Sequence, residues 1–151
     1  MKAVLKWKDA MTFEATVRQH SFNLDTSTLG GKDTGPSPKE YLLSSIAVCS
    51  GMDVVALMKK HKIEMTGFDL SSQGETRDTH PKIFKQVDLV FDLKINFKDK
   101  SVELPKVIES VNLSMTKFCG VSAMVNPTSP IFYTVMINGE IEHRDQAKFI
   151  Y

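Results

Sequence analysis

The feature that most constrains this chain is a stretch beginning at Ser37 that is apolar on every side. Tyr41, Leu42, Leu43, Ile46, Ala47, Val48, Cys49, Met52, Val54, Val55, Ala56, Leu57 and Met58 follow one another with no wide polar stripe between them. A helix of that kind must be enclosed all round. Its start carries agreeing signals: Ser37 as N-cap, Pro38 at the first helical position and Glu40 closing a capping box. The pattern predicts a central helix of about 22 residues ending near Lys60. The cations of Lys59-Lys60-His61-Lys62 would then complement its C-terminus.

The flanking segments switch to a two-residue period. Val4 to Trp7, Thr12 to Thr16 and Ser21 to Leu24 read as short strands, with Arg18 in a turn between the last two. Thr26 to Gly35 has loop chemistry. Glu64 to Gln73 and Ile83 to Phe97 read as longer strands joined by the polar segment Gly74 to Pro81. In the second of these, Val87, Leu89, Phe91, Leu93, Ile95 and Phe97 mark one buried face, broken only by Val90. A second helix is expected from Leu104-Pro105, with Val107, Ile108, Val111, Met115 and Phe118 on one face. Cys119-Gly120 interrupts it before one further turn, Val121 to Val125. Ile131 to Ile137 then turns at Asn138-Gly139 into Glu140 to His143. The order predicts an α+β domain with a mainly antiparallel sheet packed on helices, spanning residues 1–151 as one domain.

A chain of 151 residues can bury a self-sufficient core. A hydrophobic fraction of 42% with 25% charged residues is that of an ordinary globular domain. A formal net charge of +1 argues against a nucleic-acid binder, which needs a basic face. The first ten residues hold no secretory h-region, and the uncharged run Tyr41 to Met52 is too short to span a bilayer. The expectation is a cytoplasmic protein without a membrane partner.

The chemistry-bearing residues are few. His20, His61, His80 and His143 form no metal signature, and no phosphate-binding or nucleophile-elbow motif occurs, so neither metal nor cofactor is expected. Gly30, Gly31 and Gly35 precede a helix that could seat an anion, but Glu40 in its first turn opposes one. The cysteines remain. A structural disulfide is improbable in a reducing compartment. Cys49 can be a small core hydrophobe or a reactive thiol, and Asp53 one turn on disfavours its thiolate. Cys119 follows Lys117 and can open a short helical turn whose free N–H groups favour a thiolate.

Three segments resemble the OsmC-like proteins, which include the organic hydroperoxide resistance proteins, with details closest to a YhfA-like branch. They are Gly35-Pro36-Ser37-Pro38-Lys39-Glu40-Tyr41-Leu42-Leu43 followed by Cys49; Arg77 with Pro81 and Phe84; and Leu113-Ser114 with Lys117-Phe118-Cys119-Gly120-Val121. Their order and spacing extend over roughly residues 4–138. The resemblance implies an intertwined homodimer with thiol peroxidase chemistry towards organic hydroperoxides, regenerated by a dithiol reductant. Cys49 matches the peroxidatic position and Cys119 the resolving one. Arg18 sits in a matching hairpin as an activating cation, and Arg77 is a second candidate cation, towards substrate. Glu40 matches the family's helix-start glutamate, one residue displaced. Nine residues place Glu40 half a turn round from Cys49 and about 13 Å along the axis, so it can orient Arg18 but cannot act as base for Cys49. A ligand-binding or structural relative in which the thiol chemistry has faded is the alternative that Asp53 and the displaced Glu40 keep open.

Overall fold

The computed structural model describes residues 1–150. The elements run β1 (Val4–Asp9), β2 (Thr12–Val17), β3 (His20–Leu24), α1 (Pro38–His61), β4 (Met65–Thr76), β5 (Phe84–Ile95), α2 (Lys100–Leu113), a π-helical turn (Ser114–Phe118), α3 (Gly120–Val125), β6 (Ile131–Ile137) and β7 (Glu140–Gln146). The chain divides into two compact units, Met1–Leu42 and the remainder from Leu43.

The first unit is an antiparallel meander, β1-β2-β3, followed by a loop and the start of α1. Its loop is pinned by one carboxylate. Asp25 is buried and accepts from Thr12 Oγ1 at 2.8 Å, Thr26 N at 2.8 Å, Thr34 N at 3.1 Å and Thr34 Oγ1 at 2.8 Å. A Cβ on Gly31 would strike the Thr26 carbonyl, and one on Gly35 the Asn23 carbonyl, so the loop closes where only glycine fits. Burial alone would raise the Asp25 pKa, but the donors from Thr34, Thr26 and Thr12 outweigh it and hold the carboxyl well below the usual range. A depressed folded pKa stabilises above the unfolded value of about 3.9, and the contribution drains as pH falls towards the folded one. We therefore expect this unit to lose stability steadily from pH 5 to pH 2. Asp25→Asn should flatten that slope in melts followed by the fluorescence of Trp7, the one tryptophan of the chain.

The second unit is a four-stranded sheet of order β4-β5-β6-β7 with helices packed on it. Pairing is antiparallel except between β5 and β6, which run parallel with Leu89 opposite Tyr133 and Phe91 opposite Val135. The fold is thus α+β and mainly antiparallel, but with two sheets where the sequence suggested one. The alternating residues of β5 do form the buried face: Val87, Leu89, Phe91, Leu93 and Ile95 are at most 1% exposed. They join Ile46, Val54 and Met58 of α1 and Val107 and Val111 of α2 in one core. Asn138 and Gly139 adopt positive φ, 54° and 87°, as a two-residue hairpin turn requires.

Three expectations need correction. α2 begins four residues before Leu104, because Asp99 caps it by accepting from Ser101 N at 3.0 Å, and Pro105 is carried inside the helix. Phe118 leaves the buried face, 46% exposed, because the π-helical turn shifts the helical phase ahead of it. Helix α1 runs 24 residues, close to the expected length, and is apolar in the manner of the core helix of a soluble protein. The third correction is that α1 is not enclosed on every side by its own chain. Val48 is 53% and Met52 68% exposed, beside a shallow depression of about 280 Å³ lined with Gly51, Val55, Phe68 and Leu70.

Candidate functional site

Helix α1 carries Cys49 at mid-length, half-buried, between the exposed Val48 and the fully buried Ser50. The Ser50 hydroxyl is turned back on its own helix, donating to Ile46 O at 2.8 Å and Ala47 O at 3.0 Å. One turn on, the Asp53 carboxylate accepts from Ser114 Oγ at 2.9 Å. The same hydroxyl lies 3.3 Å from the Ser50 carbonyl. Ser114 therefore joins the turn of α1 that bears Cys49 to the end of α2.

From Ser114 the chain makes a π-helical turn, closed by the Cys119 N–H donating to the Ser114 carbonyl at 3.0 Å. Inserted turns of this type recur at functional sites. Cys119 itself is extended, φ −69° and ψ 97°, and caps α3 with its sulfur, which accepts from Ser122 N at 3.4 Å. The side chain of Cys119 is fully buried, and its thiol lies near enough to that of Cys49 for the two to interact electrostatically. Burial pushes the Cys119 pKa up to about 11, against the side-chain and backbone donors of Ser122 and reinforced by the Cys49 thiol. The helix-opening donors were expected to favour a thiolate here; one of them is present, and desolvation overrides it. Ser122 is fully buried beside the sulfur, and its hydroxyl has no well-formed hydrogen bond among the described residues.

The two cysteines are thus brought together, and they are free thiols. A half-buried cysteine close to an enclosed one is an arrangement that can form and release a disulfide. Arg77 lies just past β4, exposed, with its backbone N–H donated to Ile83 O at 2.9 Å; among the described residues no hydrogen bond links it to Cys49. Arg18 occupies the β2–β3 turn of the first unit with φ 55°. Glu40 accepts from Ser37 N at 2.7 Å in the expected capping box, and the Ser37 donors hold its carboxyl below the usual range. No group of His, Cys, Asp and Glu among the described residues could hold a metal ion.

Sequence reasoning did not single out Ser114 or Ser122. Cys119 and Ser122 stand at the N-cap and N3 spacing, a readable signal. The Ser114–Asp53 bond spans 61 residues and has no local signature.

Residues 31–133 match the family model for OsmC-like proteins. Protein YhfA of Escherichia coli K12 is 27% identical over 126 residues, covering 83% of this chain and 89% of YhfA. The crystal structure of a hypothetical protein from Aquifex aeolicus superposes with a TM-score of 0.76 at 26% identity, covering 91% of this chain and 95% of that one. That of an organic hydroperoxide resistance protein OsmC from Legionella pneumophila gives 0.60 at 14% identity, covering 90% and 94%.

Proposed function

The chain belongs to the OsmC-like protein family, and from that premise we propose that it is a two-cysteine, thiol-dependent peroxidase for organic hydroperoxides, acting in oxidative-stress defence. The observation that carries this reading is the proximity of half-buried Cys49 to fully buried Cys119, close enough for their thiols to interact electrostatically. The Cys49 thiolate attacks the terminal oxygen of ROOH; an S–O bond forms, the O–O bond breaks, and ROH leaves with a proton. The Cys119 sulfur then attacks Cys49 S–OH. An S–S bond forms, and the hydroxyl leaves as water with the Cys119 proton. A dithiol reductant, of the kind kept reduced in cytoplasm, restores both thiols.

The roles divide by environment. Cys49 meets the substrate because part of it reaches solvent, and Cys119 waits protonated because its pKa is near 11. On the family resemblance alone we assign Arg18 as the activating cation, with Glu40 to orient it, and Arg77 as the second candidate cation, towards substrate. Val48 and Met52, exposed together on one flank of α1 near Cys49 in the sequence, favour an apolar R group. The test is consumption of cumene hydroperoxide with dithiothreitol: the rate should exceed that with hydrogen peroxide by about tenfold or more. Both thiols still titrating after one equivalent of hydroperoxide would point instead to a non-catalytic, ligand-binding relative.

We propose further that the working form is an intertwined homodimer of this single OsmC-like domain. Val48 and Met52 leave an apolar strip on α1 that one chain does not cover, and such strips mark interfaces. Sedimentation at micromolar concentration should give twice the chain mass. Met52→Asp should shift it towards the single chain.

A further inference from the structure

Taking the peroxidase reading for the roles of the two sulfurs, we infer that Asp53 and Ser114 form a positioning pair that sets the resolving sulfur of Cys119 against Cys49. Cys119 does not sit on a regular helix. It follows a π-helical turn whose last backbone bond runs from the Cys119 N–H to the Ser114 carbonyl, 3.0 Å. Met115 seats this turn in the core, and i→i+5 geometry is rarely extended beyond one turn. Ser114 adds the tie to α1. Its hydroxyl, fully buried, reaches across to Asp53 Oδ2 at 2.9 Å and to the Ser50 carbonyl at 3.3 Å. Ser50 follows Cys49 directly, and Asp53 stands one turn beyond it.

One residue thus holds both ends of the arrangement: its side chain grips the Cys49 turn of α1, and its carbonyl fixes the backbone of Cys119. A hydrogen bond to a carboxylate is roughly twice as strong as a neutral one, which suits a clamp. The body of α2 is held independently by Val107 and Val111 in the core. Loss of the clamp should therefore loosen the π-helical turn rather than unfold the helix. The resolving step is sensitive to such loosening. Cys119 must replace the hydroxyl of Cys49 S–OH within narrow S–S geometry, and the hydroxyl departs as water with the Cys119 proton. Asp53 thereby has a structural use one turn from Cys49.

The test is the stability of the Cys49–Cys119 disulfide in glutathione buffers of graded ratio, read by thiol counting. It needs no hydroperoxide, so its outcome is separate from that of the peroxidase reading. Ser114→Ala should lower the disulfide's equilibrium constant about tenfold, a potential about 30 mV more positive. Ser114→Thr, which keeps the hydroxyl, should stay within about twofold of wild type and serves if the alanine variant folds poorly. In an Asp53→Ala background Ser114→Ala should cost nothing more, which removes the charge change at Cys49 from the comparison. An unshifted potential in Ser114→Ala would overturn the inference, as would an equal shift in the Asp53→Ala background or a wild type that forms no such disulfide. A wild type inert towards hydroperoxide, with the Ser114→Ala shift present, would remove the peroxidase reading and leave the clamp standing.

Discussion

Replacing Cys49 by serine should lower hydroperoxide turnover by about 10³-fold or more, because no other group on the chain can take its place. The second thiol is the obvious substitute, and it is unsuited. Cys119 is fully buried, and burial pushes its pKa up to about 11, so at neutral pH it is protonated and shut away from a hydroperoxide. A hydroxyl at position 49 is a far weaker nucleophile. Cys119→Ser should behave differently. Its first turnover should proceed, since Cys49 keeps its exposure, and then stop with Cys49 as sulfenic acid, which excess hydroperoxide drives on to sulfinic acid. Mass spectrometry of the intact chain should show one added oxygen and then two, where wild type loses two hydrogens. Equal turnover by wild type and Cys49→Ser would defeat the assignment.

Much of this architecture is legible in the sequence where local chemistry decides it. Helix α1 announces itself through the capping box, with Glu40 on Ser37 N, and through an apolar run too long for a strand. The alternation in β5 and the Asn138-Gly139 turn are equally local. What escapes is set by distant partners. The start of α2 is misread because Pro105 looks like a first helical residue, whereas Asp99 has already capped the helix. The π-helical turn changes the period by one residue over a single turn, too little to see in a pattern. It is stabilised from a helix 61 residues away, through Asp53. The parallel pairing of β5 with β6 requires the helical crossover between them, and the meander β1-β2-β3 forms a sheet of its own. The site divides in the same way. Cys49 and Cys119 stand out by resemblance, while the fate of Asp53 is visible only once Ser114 is seen to hold it.

Phe91→Ala should be the most damaging single change to the second unit, costing about 3–5 kcal/mol. Phe91 is fully buried at the centre of β5. Its ring stacks on Phe68 at 6.4 Å and meets Tyr133 edge-on at 6.4 Å. Truncation removes both aromatic contacts and leaves a cavity between strands that cannot close, because β4 and β6 are hydrogen-bonded to β5 on either side. The damage is not confined to the sheet. Tyr133 donates its hydroxyl to Asn112 Oδ1 at 2.9 Å, two residues before Ser114, and Phe68 lines the apolar depression on α1. A fall in midpoint of about 10 °C or more is expected in a thermal melt, for a chain of this size. Phe91→Leu refills most of the volume without the ring contacts and should cost about 1.5 kcal/mol or less. If the alanine and leucine variants melt alike, packing around Phe91 is not what seats α2 and, through Asn112, the turn that carries Cys119.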